Sequence, residues 1–215
     1  MSLNKYHLAS IILLVSFIIL SLLVSPRLGQ DNSPLVIQDQ SAFLLVNNSH
    51  YPALDQPMIL LTKYGRELVW PAATALIFVF GGRSGRRVAV IMAIAMLVSL
   101  PLGSVAKEIV ARPRPTIPPS DFLIAAGSDF AFPSGHSLVV SAGAGVVLAL
   151  FRGSSRRTAV SLALATEAAL VCVSRVYVGG HYPLDVVGGV LLGLSIEFAL
   201  TGFSKQIDSF LNRIM

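Results

Sequence analysis

The chain of 215 residues is 54% hydrophobic and only 13% charged, roughly half the charged share of an average soluble domain. A water-facing surface needs more charge than this, so a soluble globular protein, a disordered chain, a coiled coil and a collagen-like repeat are excluded. The single cysteine, Cys172, rules out an intramolecular disulfide and a cysteine-based metal cluster, and the net charge of +5 indicates membrane topology rather than a nucleic-acid surface.

Six apolar stretches predict an all-α, integral membrane bundle of six transmembrane helices. They cover residues 8–24, 66–80, 88–106, 136–151, 158–175 and 184–202. The first and third are uncharged and near the length that crosses about 30 Å of hydrocarbon. The second is the weakest because charges crowd its start, and the fourth is short but rich in small residues that suit close packing. The first is long for a signal peptide, and no small-x-small cleavage site follows it, so we expect a retained span.

Basic residues set the expected orientation. Two short loops hold three arginines each and no acid, namely Arg83, Arg86 and Arg87, and Arg152, Arg156 and Arg157. Further cations lie near the chain ends, at Lys5, Lys205 and Arg213. If six helices alternate, all of these fall on one side, which the positive-inside rule makes cytoplasmic. Acids fall on the other side, at Asp31, Asp39, Asp55, Asp121 and Asp129. We therefore expect a multi-pass protein of the cell membrane with both termini in the cytoplasm.

The side opposite the arginine loops carries two longer segments, at about 25–65 and 107–135. Residues 34–60 have mixed polarity, and we expect them to include a short interfacial helix. No internal repeat, low-complexity tract or shift in composition divides the chain. Residues 1–215 are therefore expected to form a single domain.

Polar residues that loops do not explain cluster at three places on this outer side. They lie in residues 107–115 at the end of the third helix, 133–137 at the start of the fourth, and 174–185 between the fifth and sixth. The topology rests on other residues, so this convergence on one membrane face is an independent indication of a functional site.

The first two places offer groups that bind an anion. Lys107 and Arg114 are seven residues apart, two turns if the helix persists, so both can face one way. Ser134 can cap the next helix, whose free N–H groups favour an anion, and Gly135 lets the backbone approach a ligand. Taken alone, a cation at the membrane rim is more often snorkelling to headgroups, and His136 is more often an ordinary interfacial residue.

The third place pairs His181 with Asp185. Pro183 fits the first turn of the sixth helix, so the carboxylate lies one turn from the ring. It can accept a hydrogen bond from one ring nitrogen and leave the other as a nucleophile or base, although such a pair can also be a structural cap. This third place also holds Arg175, the third cation of the set. Two histidines, one carboxylate, three cations and a helix N-terminus, without a metal-ligand cluster, fit phosphoryl chemistry best.

These residues match, in order, the three signatures of a known family. The signatures read Lys107-x6-Arg114-Pro115, Pro133-Ser134-Gly135-His136, and Ser174-Arg175-x5-His181-x3-Asp185. In this respect the chain resembles the type 2 phosphatidic acid phosphatase superfamily, the membrane lipid phosphatases related to vanadium haloperoxidases. Arg112-Pro113 is a second Arg-Pro pair, but only Arg114 has the family spacing from Lys107.

The resemblance implies a six-helix fold and hydrolysis without a metal or cofactor. By this resemblance, His181 attacks phosphorus and forms a phosphohistidine, Asp185 orients it, and His136 protonates the leaving oxygen. The phosphate is expected to be held by Lys107, Arg114, Arg175, Ser134 and Gly135. The implied partners are membrane lipids, with a polyprenyl diphosphate, phosphatidylglycerol phosphate or phosphatidate as substrate. An outward-facing site favours the polyprenyl diphosphate, because that carrier is released on the outer side.

Two other functions stay open. The same motifs serve a phosphotransferase that passes the phosphoryl group to an acceptor other than water. A small transporter or channel is supported by Glu167 in the middle of the fifth helix, since intramembrane ionisable residues are functional by default. Against it, the sequence lacks paired broken helices and repeated halves, and Glu167 can instead contact the cations or another helix. Glu197 is expected near the inner end of the sixth helix, in an interfacial position.

Overall fold

The computed structural model describes residues 4–116, 123–124, 127–204 and 206–207, and within them all regular secondary structure is helical. The α-helices of these residues are α1 (Lys5–Val24), α2 (Pro34–Asn47), α3 (Pro52–Tyr64), α4 (Trp70–Phe80), α5 (Gly82–Val110), α6 (Gly135–Leu150), α7 (Ser155–Tyr177) and α8 (Pro183–Gly202). A 3-10 turn covers Pro26–Leu28, and a π-helical turn at Gly65–Val69 joins α3 to α4 without a break. Three residues used for the expected topology lie outside the described residues: Asp121, Lys205 and Arg213.

Four of the described helices are long and apolar enough to cross a membrane, namely α1, α5, α7 and α8. Helix α6 is also apolar but has 16 residues, and α4 has 11. The all-helical membrane architecture is thus confirmed. Length and composition identify four spans and one shorter apolar helix in the described chain, rather than the expected six.

Helix α6 forms the centre of the bundle and contacts α5, α7 and α8. Every side chain from Ser137 to Val147 is buried. Small residues explain this, because they let neighbouring backbones approach closely. A Cβ on Gly193 of α8 would lie 2.4 Å from the carbonyl oxygen of Leu138, so α8 can pack here only with glycine. The expected close packing of the fourth stretch is confirmed.

The second apolar stretch, expected at residues 66–80, belongs to a longer helical segment. Its helical turns begin at Pro52 and continue to Phe80, and the charged residues at 66 and 67 lie within the π-helical turn. A π-turn inserts an extra residue and is frequent at functional sites. Residues 34–60 contribute two helices, α2 and the start of α3, where one short helix was expected.

The two arginine groups lie at the same end of the bundle, since Arg157 donates from Nη2 to the carbonyl oxygen of Gly81 at 3.3 Å. The expectation that they lie in loops is wrong for most of them: α5 begins at Gly82 and contains Arg83, Arg86 and Arg87, and α7 begins at Ser155 and contains Arg156 and Arg157. The start of α1 and the end of α8 share this end, where the ring of His7 lies 4.7 Å from that of Phe203. At the other end, Ser25 donates to the carbonyl oxygen of Val110 at 3.0 Å. The ends of α5 and α7 and the starts of α6 and α8 therefore face away from the two arginine groups.

The two glutamates of α7 and α8 have structural partners. Glu167 accepts a hydrogen bond from the indole of Trp70 at 2.8 Å, so it packs against the α4 segment. Glu197 is 1% exposed and accepts a hydrogen bond from Thr201 at 2.8 Å, beside Gly145 of α6. Glu197 lies near the C-terminal end of α8, as expected, but its side chain is buried inside the bundle, where the missing side chain at Gly145 leaves room for it.

Candidate active site

A polar cavity of about 350 Å³ lies where the ends of α5 and α7 meet the starts of α6 and α8. Six of the residues expected from the sequence line it: Lys107, Arg114, Gly135, His136, Arg175 and His181. The other two, Ser134 and Asp185, are fully buried directly behind this lining. The backbone N–H of Ser134 donates to the carbonyl oxygen of Asp185 at 2.9 Å, which ties the start of α6 to the start of α8. The structure thus brings all eight residues together.

Arg114 reaches the cavity on an extended segment rather than on a helix. Helix α5 ends at Val110, and Ala111 follows in the left-handed region with φ of 54°. Residues that precede a proline avoid the helical region, so Arg112 cannot continue α5 before Pro113. The helix therefore does not persist from Lys107 to Arg114, but both side chains still line the same cavity, as expected.

Hydrogen bonds fix the two cations. Lys107 donates from Nζ to the carbonyl oxygen of Phe130 at 2.6 Å, and Arg114 donates from Nη1 to the carbonyl oxygen of Gly180 at 2.7 Å. Asp129 accepts from both, at 2.6 Å from Lys107 Nζ and in close contact with Arg114 Nη2. Partial burial alone would raise the pKa of the Asp129 carboxyl, but the hydrogen bonds from Lys107 and Arg114 lower it well below its ordinary range. In this structure, therefore, Asp129 pairs with the two cations that are expected to bind the phosphate.

The N-terminus of α6 faces the cavity as expected. Ser134 caps the helix by accepting from the backbone N–H of Ser137 at 3.5 Å, and its side chain is fully buried. Gly135 and His136 then line the cavity with the first turn of α6. N–H groups at such a helix start have no intrahelical acceptor and favour a bound anion.

The turn between α7 and α8 presents His181 and Arg175. Gly179 has φ of 85°, a conformation that glycine adopts without strain. A Cβ on Gly180 would lie 2.9 Å from Arg175 Nη2, so the guanidinium occupies the space of a side chain. Within the described part of the chain, Arg175 Nε and His181 Nδ1 are buried and have no hydrogen-bond partner.

His181 is held between a carboxylate and the cations. Its Nδ1 lies 3.6 Å from Asp185 Oδ2, and its Nε2 lies 3.3 Å from Arg114 Nη1. The first distance exceeds a hydrogen bond, so the expected orienting bond is present only as a near contact. Burial lowers the pKa of His181 well below its ordinary value, and Arg175, Arg114 and Lys107 lower it further. A neutral ring with its proton on Nδ1 and its lone pair on Nε2 fits these contacts.

Arg112, the arginine of the second Arg-Pro pair, is buried and forms ion pairs with two aspartates. Its Nη1 lies 2.7 Å from Asp185 Oδ1 and its Nη2 lies 2.7 Å from Asp39 Oδ2. Tyr182 stacks its ring 4.4 Å from the guanidinium carbon. Asp39 also accepts from the backbone N–H of Leu184 at 2.9 Å, so α2 closes the back of the site. No local sequence pattern marks Asp39 for this role.

Arg66 and Glu67 are further polar residues at this site that the sequence reasoning missed. Arg66 lines the cavity, and Glu67 Oε1 lies 3.3 Å from His136 Nε2. Both lie on the π-helical turn. The sequence offered one signal for them: both charges lie at the start of the weakest apolar stretch. They shorten a membrane span that is already short, and this cost suggests that they have a role there.

The chemistry of the site is that of anion binding by cations and N–H groups. Among the described residues, no group of three histidine, cysteine, aspartate or glutamate side chains is placed to hold a metal ion. Two histidines at such a site can serve as nucleophile and acid in phosphoryl transfer, with the cations stabilising the charge of the transition state.

Comparison with known proteins agrees with this geometry. Residues 85–207 match the PAP2 superfamily. The undecaprenyl-diphosphatase of Sulfolobus acidocaldarius is 38% identical over 207 residues, which cover 93% of this chain and 96% of that protein. Phosphatidylglycerophosphatase B of Bacillus subtilis is 37% identical over 115 residues, covering 51% of this chain and 54% of that protein.

A solved structure shows the same fold. The crystal structure of a transmembrane PAP2-type phosphatidylglycerolphosphate phosphatase from Bacillus subtilis matches with a TM-score of 0.72 and 25% identity. The match covers 92% of this chain and 96% of that one. The relative from Sulfolobus acidocaldarius and this solved structure match nearly the whole chain, and the family model matches residues 85–207. The chain therefore belongs to the PAP2 superfamily of membrane phosphatases.

Proposed function

We propose that this protein hydrolyses the terminal phosphate of a membrane lipid phosphate or diphosphate through a phosphohistidine intermediate. The observation that carries the proposal is the meeting of His181, His136 and three cations in one cavity. The cations are Lys107, Arg114 and Arg175. The names of the relatives, which are lipid phosphatases and diphosphatases, support the same substrate class.

In the first step, Nε2 of His181 attacks the terminal phosphorus. The new P–N bond forms as the P–O bond to the lipid breaks, and His136 gives a proton to the departing oxygen. The cations and the N–H groups at the start of α6 stabilise the charge on the phosphoryl oxygens. Asp185 stabilises the Nδ1 proton of His181, and the 3.6 Å gap is of the kind that closes when substrate binds.

In the second step, water attacks the phosphohistidine. His136, now neutral, takes a proton from this water, the P–N bond breaks, and inorganic phosphate leaves with His181 restored. Using one residue first as acid and then as base follows from the reversal of leaving group and nucleophile between the two steps. Release of free phosphate distinguishes this hydrolysis from phosphotransfer.

An apolar groove supports a lipid substrate. It has a volume of about 790 Å³, lies between α4 and α5, and shares Arg66, Leu100 and Val139 with the polar cavity. A lipid whose phosphate occupies the cavity can place its chain in this groove without exposing it to water.

Arg66 favours a diphosphate among these lipids. It lines both the polar cavity and the apolar groove, so it lies where the inner phosphate of a diphosphate would sit. We therefore place a polyprenyl diphosphate first, ahead of phosphatidylglycerol phosphate and phosphatidate. The similarity to an undecaprenyl-diphosphatase along nearly the whole chain points the same way.

We further propose six spans, with α6 and the α3–α4 segment added to the four long helices. About 24 Å of helix in α6 approaches the hydrocarbon thickness, and the bundle buries most of it. The two arginine groups share one end of the bundle, which the positive-inside rule places in the cytoplasm. The active site then faces the extracytoplasmic side.

Cysteine labelling tests this orientation. Ser128 is exposed at the site end and Ser84 is exposed at the arginine end, whereas the native Cys172 is buried. In a Cys172→Ser background, Ser128→Cys is expected to react with an impermeant maleimide added to intact cells. Ser84→Cys is the matched control and should react only after permeabilisation. The reverse pattern would place the site in the cytoplasm.

Phosphate release in the presence of a chelator tests the activity. Purified protein in detergent is given polyprenyl diphosphate, phosphatidylglycerol phosphate and phosphatidate, each with and without EDTA. Because the proposed chemistry rests on histidines and cations, EDTA is expected to leave the rate unchanged, with the diphosphate hydrolysed fastest. Activity abolished by EDTA and restored by magnesium, or no phosphate released from any lipid, would contradict the proposal.

A further inference from the structure

The carboxylate of Glu67 contacts the histidine proposed as the acid. Glu67 Oε1 lies 3.3 Å from Nε2 of His136 and pairs with Nη2 of Arg66 on the same π-helical turn. Arg66 is therefore placed to hold the carboxylate against the imidazole. With Nε2 turned to Glu67, the other ring nitrogen, Nδ1, is the one that this contact does not engage.

The groups around His136 are mainly cationic. The charged and titratable groups that share this cavity are Arg66 on the π-turn, Lys107 on α5, Arg114 and Asp129 on the loop segments, Arg175 on α7, and His181 before α8. Asp129 already pairs with Lys107 and Arg114. Among the residues that the structure describes, Glu67 is the carboxylate in contact with His136.

A general acid must carry its proton when the leaving oxygen departs. Cations around an imidazole favour the neutral ring, and a carboxylate within about 4–6 Å favours the charged one. The contact with Glu67 thus supplies the negative charge that this histidine needs. The same contact fixes the direction of the ring.

We propose that Glu67 is a positioning residue for the acid, accepting the Nε2–H hydrogen bond of His136 so that the charged ring donates from Nδ1 to the leaving oxygen. This inference rests on the proposed function, because it assigns a partner to the proposed acid. It adds a residue from the π-turn, outside the three sequence signatures, to the machinery of the reaction.

Glu67→Gln tests it, because the amide keeps the size of the side chain and removes its charge. On a lipid monophosphate, whose alkoxide is a poor leaving group, kcat is expected to fall roughly 10- to 100-fold, part of the contribution of a general acid. The basic limb of the kcat–pH profile should move to lower pH by about one unit or more, because His136 holds its proton less firmly. With nitrophenyl phosphate, a good leaving group, the rate should stay near that of the wild type.

Two controls separate this role from a structural one. Glu108→Gln makes the same charge change at an exposed position of α5 near the site, and it should leave rate and pH profile unchanged. Glu67→Gln combined with His136→Ala should be no slower than His136→Ala alone, because residues that act as one unit do not add.

The possible results separate the role of Glu67 from the proposed function. An unchanged pH profile, or equal losses on both substrates, would overturn the role of Glu67 while leaving the phosphatase assignment intact. Additive losses in the double variant would overturn it as well. If the wild type releases no phosphate from any lipid in the panel, the proposed function fails and this inference fails with it.

Discussion

His181→Ala is expected to abolish turnover of every substrate, whatever its leaving group. The imidazole is the nucleophile in the proposed mechanism, and alanine offers no lone pair to phosphorus. Loss of a covalent nucleophile costs on the order of 10⁴- to 10⁶-fold in rate. Substrate labelled at the terminal phosphate should leave no label on the variant, whereas the wild type should carry it. The reaction is quenched in alkaline detergent, because the P–N bond is labile in acid.

His7→Ala is the matched control, since His7 lies at the opposite end of the bundle beside Phe203. It should retain both label and turnover. Because His181 is only 1% exposed, removing its side chain leaves a small cavity, so the fold of the variant is checked by its melting profile in detergent. Label still trapped on a folded His181→Ala protein would refute the nucleophile assignment, and His136 would become the first candidate.

His136→Ala is expected to slow the reaction by an amount that depends on the leaving group. The variant keeps the nucleophile but has no acid for the departing oxygen, and such an acid typically contributes on the order of 100- to 10,000-fold. The full loss is expected with a lipid monophosphate. Nitrophenyl phosphate needs little protonation and should partly rescue His136→Ala, but it should not rescue His181→Ala. Steady-state rates of both variants on both substrates measure this.

Equal losses of His136→Ala on the two substrates would contradict its role as acid and would indicate a role in binding instead. A second contrast comes from Asp185→Asn. The amide keeps the shape of the side chain but weakens control of the His181 tautomer, and it also weakens the pair with Arg112. Its loss of rate should be large but smaller than that of His181→Ala.

Arg112 and Arg114 show how two similar residues separate once the chain is folded. Both precede a proline, and both lie just beyond α5. In the structure Arg114 lines the cavity beside His181, whereas Arg112 is 3% exposed and bridges two aspartates. The spacing of the family signature predicted Arg114 as the phosphate-binding arginine, but it gave no information on the role of Arg112.

The sequence by itself determined the features that short-range chemistry controls. Its low charge required a membrane-embedded helical chain, and the grouping of arginines indicated which loops share one side. The three signatures identified the residues that line the cavity, because each signature is a local unit of a helix end and its turn. Proline and glycine at those ends limited where helices could begin and stop.

Only the tertiary structure decided which distant residues complete the site. Asp39 and Asp185 each lie 73 residues from Arg112, and Glu67 lies on a different helix from His136. Helical periodicity indicates which face of a helix is apolar, but it does not indicate which other helix that face will pack against. The buried bridge, the Glu67–His136 contact and the groove between α4 and α5 arise from helix packing. They therefore became visible only when the helices were placed side by side.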